Sequence, residues 1–339
     1  MKEPIKEHKS ALLKYSILQV FVVILLVVFF ACKAKTNQLK DKLVIAHRGA
    51  SGYLPEHTME AKAMAYATMP NYIEQDLVLS KDNVPVVIHD IYLDEVTDVA
   101  KVFPDRKRAD GRYYVIDFLF EELQQLQVSE RFDSSTGRQV YPNRFPKGKG
   151  NFKLHSLQQE IELIQGLNAS TGNNIGIYPE IKNPTFHHKN NKDLAKITLS
   201  VLNSYGYSSK SDLCILQCFD AKELKRIRKQ LQSNLYLVQL IEFPEQAKQL
   251  EKYASYADGI GCWYKQILGK KEKGKWIFSS LVNDAHKLNL TVHAYTLKYD
   301  QHDEFSSFNQ MMQVLFDQAN IDGAFTDFPD KVINYLKQK

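Results

Sequence analysis

Residues 43–50 read LVIAHRGA, an apolar run of strand type that ends directly in a histidine, an arginine and a glycine. Short apolar runs of this kind recur along the chain, and segments with the 3.6-residue spacing of helices separate them. The candidate strands are residues 43–47, 72–77, 175–180, 213–217, 235–240, 258–261, 290–295 and 321–325. Alternating strands and helices predict βα units and a parallel sheet. Because there are eight such units, we expect an α/β fold in which the sheet closes into a (β/α)8 TIM barrel.

One segment, residues 91–155, interrupts this alternation. It is polar and contains residues that break regular elements, namely Gly111, Pro142, Pro146, Gly148 and Gly150. We therefore predict a small insertion after the second strand, within a barrel that runs from residue 43 to residue 335.

The composition is that of a folded globular protein. Of the 339 residues, 44% are hydrophobic and 24% are charged, which excludes a mainly disordered chain. The 44 Lys and Arg residues exceed the 39 Asp and Glu residues by five. A net charge of +5 is small for this length and gives no reason to expect a nucleic-acid partner.

The N-terminus has the pattern of an export signal, because lysines precede an apolar run over residues 20–32. The run ends in FFAC, which resembles a bacterial lipobox in which Cys32 becomes the lipidated first residue. We expect residues 1–31 to be a signal peptide or apolar anchor and residues 32–42 to be a polar tether. The alternative to lipidation is an anchor that is never cut, since about 17–25 residues suffice to span a bilayer. Either outcome predicts an extracytoplasmic bacterial protein, either a membrane-anchored lipoprotein or a periplasmic protein.

Three carboxylates follow or end the predicted strands. Glu74 and Asp76 are two residues apart, so on a strand their side chains point to the same side. Two carboxylates on one face repel each other unless a cation lies between them. Glu180 ends the next predicted strand and supplies a third carboxylate. All-oxygen ligands of this kind favour Ca²⁺ or Mg²⁺ over zinc.

Basic residues occupy comparable positions. His47 and Arg48 end the first strand, and Lys182 lies two residues after Glu180 on the same side. A hairpin centred between residues 82 and 83 would bring His89 opposite Asp76. Cations hold a charged phosphate, and two imidazoles can remove one proton and donate another. The group therefore suits phosphodiester hydrolysis at the carboxyl ends of the barrel strands.

Each of these residues also has a structural interpretation. His47 or His89 alone could be a hydrogen-bonded core histidine, Asp90 could cap a turn, and Glu74 could pair with Arg48. The functional interpretation rests on acid and base types that fall at the ends of three separate strands.

Several spaced motifs resemble those of glycerophosphodiester phosphodiesterases, and the closer similarity is to the periplasmic or lipoprotein branch of that family. The similarity runs from about residue 43 to residue 335. The motifs are HRGA at 47–50, PEHT at 55–58, EQD at 74–76, HD at 89–90, FPDR at 103–106, DGRYY at 110–114, YPEIK at 178–182, VHAYT at 292–296 and DGAFTDFP at 322–329.

The resemblance implies a phospholipase-C-like TIM barrel with a small insertion and a divalent cation, usually Ca²⁺, with Mg²⁺ as the alternative. It implies that Glu74, Asp76 and Glu180 bind this cation. The expected reaction converts a glycerophosphodiester and water into sn-glycerol 3-phosphate and an alcohol. One departure is the CWY sequence at 262–264, where the family more often has a proline.

The resemblance also implies roles for the basic residues. His47 and His89 would be the general acid/base pair, Arg48 would bind the phosphate, and Lys182 would stabilise the charge that develops there. Two alternatives stay open at this point. A metal-independent phospholipase C would not need the acidic residues, and a surface lipoprotein used mainly for binding would not need the whole set.

Overall fold

The computed structural model describes residues 42–302 and 304–339. The predicted signal or anchor over 1–31, the lipidation site Cys32 and nearly all of the predicted tether lie outside these residues. Among the described residues, no helix is both long enough and apolar enough to cross a membrane.

The strands alternate with helices along the chain, as the sequence predicts. Their bounds are β1 (Leu43–Ala46), β2 (Tyr72–Leu79), β3 (Pro85–Val87), β4 (Gly176–Ile181), β5 (Ile215–Cys218), β6 (Tyr236–Ile241), β7 (Gly259–Trp263), β8 (Leu268–Glu272), β9 (Lys275–Phe278), β10 (Thr291–Leu297) and β11 (Gly323–Thr326). Each of the eight predicted strands overlaps one of these. The hairpin of β8 and β9 was not predicted.

Eight parallel strands close into a barrel. Around the sheet they follow the order β1, β11, β10, β7, β6, β5, β4 and β2, and β2 pairs again with β1. Large buried side chains fill the interior, among them Ile45, Tyr178, Val238, Leu240 and Phe325. The predicted α/β barrel is therefore confirmed, and it is a packed core rather than a pore.

The helices surround this sheet, and several begin where the sequence supplies a capping side chain. Thr58 accepts a hydrogen bond from the Ala61 amide, and Ser156 does the same for Gln159. The α-helices are Met59–Thr68, Val99–Val102, Phe120–Leu123, Leu157–Thr171, Pro184–Lys189, Leu194–Ser204, Ala221–Lys229, Leu250–Ala254, Leu281–Lys287, Phe308–Met312 and Pro329–Lys337. Single turns of 3₁₀-helix cover Pro104–Arg106, Val115–Asp117, Gln246–Gln249 and Tyr264–Gln266, and a π-helical segment covers Gln313–Gln318.

Residues 91–155 contain short helices and isolated β-bridges. They form an apolar cluster that also includes Val78 of β2 and Val86 of β3. The buried members of this cluster within 91–155 include Leu93, Val96, Val99, Val115, Phe118, Leu123, Leu126 and Val128. Because the segment packs against the β2–β3 hairpin, it lies on the edge of the barrel that carries Asp76.

The predicted hairpin register was wrong by one residue. Leu77 pairs with Val87, so Asp76 faces Ile88, whose amide donates to the Asp76 carbonyl over 2.9 Å. The reason is the turn. Residues 80–84 connect β2 and β3. The Ser80 amide donates to the Val84 carbonyl over 3.0 Å, so the turn inside this pair has three residues, 81–83, instead of two, and Asn83 adopts the left-handed conformation with a φ of 67°. His89 therefore lies beyond the end of β3 rather than opposite Asp76.

Candidate functional site

A cavity of about 530 Å³ lies at the carboxyl ends of the barrel strands. All seven residues that the sequence nominated for catalysis, phosphate binding or metal binding line it: His47, Arg48, Glu74, Asp76, His89, Glu180 and Lys182. We call this space the catalytic cavity. The structure brings these residues together from β1, β2, β4 and the segment after β3.

The three predicted metal ligands are buried on neighbouring strands. Asp76 and Glu180 are direct register partners in β2 and β4, and Glu74 lies one pleat repeat before Asp76. Burial and the charge of Asp76 raise the pKa of Glu74 well above its ordinary value. Burial also raises the pKa of Glu180 to about 7, and Asp76 adds to this shift while Lys182 opposes it. At Glu74 and Glu180, burial together with repulsion from Asp76 therefore outweighs the nearby cations.

Lys182 lies between two of these carboxylates. Its Nζ is 2.9 Å from Glu180 Oε1 and 3.5 Å from Asp76 Oδ1. Burial alone would raise the pKa of Asp76, but Lys182, His89 and His57 together hold it well below its ordinary value. Asp76 is thus the carboxylate that stays ionised.

Arg48 follows β1 in a backbone conformation that few residues adopt. Its φ is 57°, and this turns its amide toward Glu74, where it donates to Oε2 over 2.6 Å. Its guanidinium contacts Glu56 Oε2 at 3.0 Å and Asp76 Oδ2 at 3.6 Å. Gly49 has a φ of 87°, and a Cβ there would lie 2.8 Å from the Ala61 carbonyl carbon. The turn therefore requires glycine.

His47 is fixed by a carboxylate from the other end of the chain. Its Nδ1 is 2.6 Å from Asp327 Oδ1, just after β11. The second Asp327 oxygen accepts from Arg144 Nη2 over 2.7 Å. Burial, followed by the charge of Arg48, lowers the pKa of His47 although Asp327 opposes the shift. A neutral His47 with its Nδ1 engaged presents Nε2 as the reactive nitrogen.

His89 is held in the same way by its neighbour in sequence. Its Nδ1 is 2.7 Å from Asp90 Oδ1, and its side chain keeps 30% of its surface exposed. Desolvation in the cavity, followed by the charges of Arg48 and Lys182, lowers its pKa to about 4. Both imidazoles are therefore neutral near pH 7. In each ring the carboxylate contacts Nδ1, so it does not engage Nε2.

Two arginines of residues 91–155, Arg131 and Arg144, bind carboxylates that contact the predicted site residues. Arg131 binds Glu56 at 2.7 Å and Asp90 at 2.8 Å, so it connects the partner of Arg48 with the partner of His89. No periodicity or motif marked Arg131 or Arg144. Glu56 and Asp327, by contrast, lie within the quoted motifs 55–58 and 322–329, where their residue types were visible but their partners were not.

The donor set fits a divalent cation. Buried donor atoms of His57, Glu74 and Asp76 lie within 4.8 Å of one another. His57 Nε2 contacts Asp76 Oδ2 at 2.7 Å, and burial lowers its pKa to about 3, so it is neutral. Glu180 stands across from Asp76 in the register. His57 belongs to the PEHT motif at 55–58, but its position in the sequence does not indicate that it lies beside Glu74 and Asp76.

The chain is similar in sequence to known proteins along most of its length. A model of the glycerophosphoryl diester phosphodiesterase family matches residues 47–331. The chain is 46% identical to the glycerophosphodiester phosphodiesterase of Haemophilus influenzae over 90% of its own length and 92% of that protein. It is 37% identical to the glycerophosphodiester phosphodiesterase of Treponema pallidum over 87% of its own length and 92% of that protein.

Solved structures share the fold. A phosphodiesterase from Oleispira antarctica in complex with the product sn-glycerol-3-phosphate superposes with a TM-score of 0.62 at 19% identity. The match covers 88% of this chain and 97% of that one. A glycerophosphoryl diester phosphodiesterase structure from Silicibacter pomeroyi gives a TM-score of 0.66 at 22% identity, over 88% and 94% of the two chains.

Proposed function

The chain belongs to the glycerophosphoryl diester phosphodiesterase family and is a glycerophosphodiester phosphodiesterase, and we propose that it works by metal-dependent general acid/base catalysis with His47 and His89. The substrates would be small glycerophosphodiesters, and the products would be sn-glycerol 3-phosphate and an alcohol. The observation that carries the proposal is one cavity lined by three carboxylates, two carboxylate-bound histidines, an arginine and a lysine.

Glu74, Asp76 and Glu180 would hold a divalent cation, with Ca²⁺ as the first choice and Mg²⁺ as the alternative. Such a cation would relieve the repulsion among the carboxylates and withdraw charge from the phosphate oxygens. The raised pKa values of Glu74 and Glu180 support this assignment, because burial and the charge of Asp76 disfavour their ionised forms and a bound cation would favour them. His57 would orient Asp76 through its 2.7 Å contact, or supply a further ligand.

The phosphate would bind beside Arg48 and Lys182, whose side chains both reach Asp76. Burial opposes the charge of Lys182, but Asp76 and Glu180 outweigh it and raise the pKa of its ammonium above the ordinary value. Lys182 therefore remains a cation and would stabilise negative charge as it grows on the phosphate oxygens.

The two histidines would divide the proton transfers. One Nε2 would accept a proton from the attacking water as a new P–O bond forms. The other histidine, protonated from solvent once the anionic phosphodiester lies beside it, would donate that proton to the alcohol oxygen as its P–O bond breaks. Asp327 and Asp90 hold the imidazoles in the tautomer that this requires and favour the charged ring when it forms.

A release assay for sn-glycerol 3-phosphate tests the proposal. Purified protein is treated with a chelator and assayed on glycerophosphocholine before and after Ca²⁺ or Mg²⁺ is added back. We expect activity to disappear with the chelator and to return with the cation. Full activity in excess chelator would contradict the metal dependence, and no release under any condition would contradict the activity itself.

We further propose that the enzyme is anchored outside the cytoplasm through Cys32. The lysine-rich start, the apolar run over 20–32 and the FFAC sequence support this. Replacing Cys32→Ser should leave an unprocessed precursor without lipid in a membrane fraction. Mass spectrometry that finds an intact N-terminus with an unmodified Cys32 in the native protein would instead indicate an uncut anchor.

A further inference from the structure

A second cavity, of about 910 Å³, adjoins the catalytic cavity. We call it the side cavity and define it by Phe186, Phe219, Glu242, Phe243, Trp263 and Tyr295, which all line it. His47, Arg48, Glu74 and Asp76 line only the catalytic cavity, whereas Phe186, Glu242 and Phe243 line only the side cavity. The two cavities share the lining residues His89, Glu180, Lys182, Phe219, Trp263, Lys265 and Tyr295. The side cavity therefore begins where the phosphate would bind and extends away from the acidic cluster.

Aromatic rings form much of its wall. Phe219 follows β5, Trp263 ends β7 and Tyr295 lies in β10, so the barrel itself positions them. The Phe219 and Tyr295 rings meet edge to face with centroids 6.0 Å apart. Trp263 is 43% exposed and Phe243 is 51% exposed, although both are large and apolar. Lys265 Nζ already lies against the Trp263 ring, 5.1 Å from its centroid, but the exposed part of both side chains can contact a ligand without rearrangement of the core.

The charges near these rings are negative or balanced. Within residues 42–302 and 304–339, the Glu242 carboxylate has no ion-pair partner. Asp220 also lines the side cavity and carries a second negative charge, while its oxygens cap the Ala221–Lys229 helix. Two lysines also line the side cavity and both are paired, Lys265 with Glu304 and Lys182 with Glu180. A neutral ligand would leave the Glu242 charge uncompensated.

The ring faces already accommodate ammonium groups in this structure. Lys182 Nζ lies 5.8 Å from the Phe219 centroid, and Lys265 Nζ lies 5.1 Å from the Trp263 centroid. Cations bind aromatic faces within about 6 Å of the ring centroid, and tryptophan is the best of the aromatic residues for this contact. Trp263 and Glu242 together thus offer a ring face and a free negative charge in one cavity.

We propose that the side cavity is the subsite for the alcohol part of the diester and that it selects alcohols with a quaternary or primary ammonium group. The proposal rests on the proposed function, since it assumes a phosphodiester bound between His47 and His89. The ammonium would lie against Trp263 and near Glu242, and the phosphate would stay beside Lys182. Because His89 borders the side cavity and His47 does not, the departing alcohol oxygen lies on the His89 side.

The test compares two substrates that differ in charge alone. One is glycerophosphocholine. The other is the glycerophosphodiester of 3,3-dimethylbutanol, in which an uncharged tert-butyl group replaces the trimethylammonium and the phosphate keeps its negative charge. The kcat/KM of the full chain is measured for both in saturating Ca²⁺. A cation–π contact and a nearby carboxylate predict a preference for the choline ester of about 5- to 30-fold.

The variants Glu242→Gln and Trp263→Leu should each reduce this preference toward unity. The readout is the ratio of the two substrates within one variant, so a general loss of activity cancels. Both side chains are exposed, so folding should be retained. Glu272→Gln is the matched control, because Glu272 is an exposed acid on β8 that does not line either cavity. It should keep the wild-type ratio.

Each outcome decides the proposal. A wild-type preference that falls in both variants and persists in the control supports the subsite. Equal kcat/KM values on the two esters, or a preference that neither variant changes, overturns the subsite but leaves the phosphodiesterase function intact. If the wild type hydrolyses neither ester, the proposed function fails and the subsite fails with it.

Discussion

The Asp327–His47 contact shows how single residues at distant positions set the chemistry. Asp327 lies 280 residues after His47 in the chain but 2.6 Å from its Nδ1. The hydrogen bond from His47 lowers the pKa of Asp327 despite its burial, so the carboxylate is ionised and acts as acceptor. This fixes the proton on Nδ1 and leaves Nε2 for the substrate.

Replacing Asp327→Asn should therefore lower kcat by at least about 10²-fold, because an amide can favour the wrong tautomer of His47. The affinity for Ca²⁺ should stay unchanged, because Asp327 is not a proposed ligand. Steady-state kinetics and a calorimetric Ca²⁺ titration measure both properties.

Asp330→Asn is a suitable control. Asp330 accepts from the Tyr53 hydroxyl and pairs with Lys331, and neither partner lines the catalytic cavity, so kcat should stay near the wild-type value. Near-normal kcat in Asp327→Asn would show that His47 does not depend on this contact.

His89 offers a prediction in pH. Its pKa in the folded protein is lowered to about 4, against an ordinary value of 6.5. Below pH 6.5 the unfolded chain binds a proton that the folded chain does not, so this residue costs stability as the pH falls from 6.5 toward 4. NMR titration of the histidine rings should show His89 protonating well below pH 6. A midpoint at or above 6.5 would mean that the cavity does not disfavour the imidazolium.

At the scale of elements, a buried charged network joins two helices to the strand that carries the metal ligands. Lys62 and Glu160, on the helices Met59–Thr68 and Leu157–Thr171, are both 0% exposed, with Nζ and Oε1 3.1 Å apart. Lys62 also donates to the Glu74 carbonyl, and Gln75 donates to Glu160 over 2.8 Å. The network therefore fixes two groups of β2, the backbone carbonyl of Glu74 and the side chain of Gln75.

Lys62→Met should lower the free energy of unfolding by about 3–5 kcal/mol, because it leaves the Glu160 carboxylate buried without its main partner. The double variant with Glu160→Gln should recover part of this loss, since the uncompensated charge is then gone. Urea unfolding followed by circular dichroism measures both.

An exposed pair provides the comparison. Lys287 and Asp284 form an ion pair with side chains 74% and 42% exposed, so Lys287→Met should change stability by less than about 1 kcal/mol. The interpretation of the network would be wrong if Lys62→Met behaved like Lys287→Met.

For the whole molecule, local sequence patterns predicted the architecture, and the residues that they nominated for the site line one cavity. The eight barrel strands are short, mostly apolar runs in which most residues are buried, and this pattern can be recognised in the sequence. His47, Glu74 and Glu180 stand out because charged residues in or directly after such runs are rarely placed there for packing.

Long-range and irregular features could not be read in this way. The register of His89 depends on a three-residue turn with Asn83 in the left-handed conformation, which the turn composition alone did not distinguish from a two-residue turn. Arg131 and Arg144 belong to an insertion without periodicity, so nothing local indicated that they bind Glu56 and Asp327. Their roles follow only from tertiary contacts.

The central claim is that the carboxylates hold a cation while the histidines transfer protons, and a Ca²⁺ titration of binding and turnover on the same variants tests it most directly. We predict that His47→Ala and His89→Ala each bind Ca²⁺ like the wild type but lose at least about 10²-fold in kcat. Glu74→Ala should bind Ca²⁺ more weakly and regain part of its activity in excess Ca²⁺. If added Ca²⁺ restored the activity of either histidine variant, the proposed proton-transfer role of that histidine would be contradicted. Near-full kcat in either variant before Ca²⁺ is added would contradict it equally.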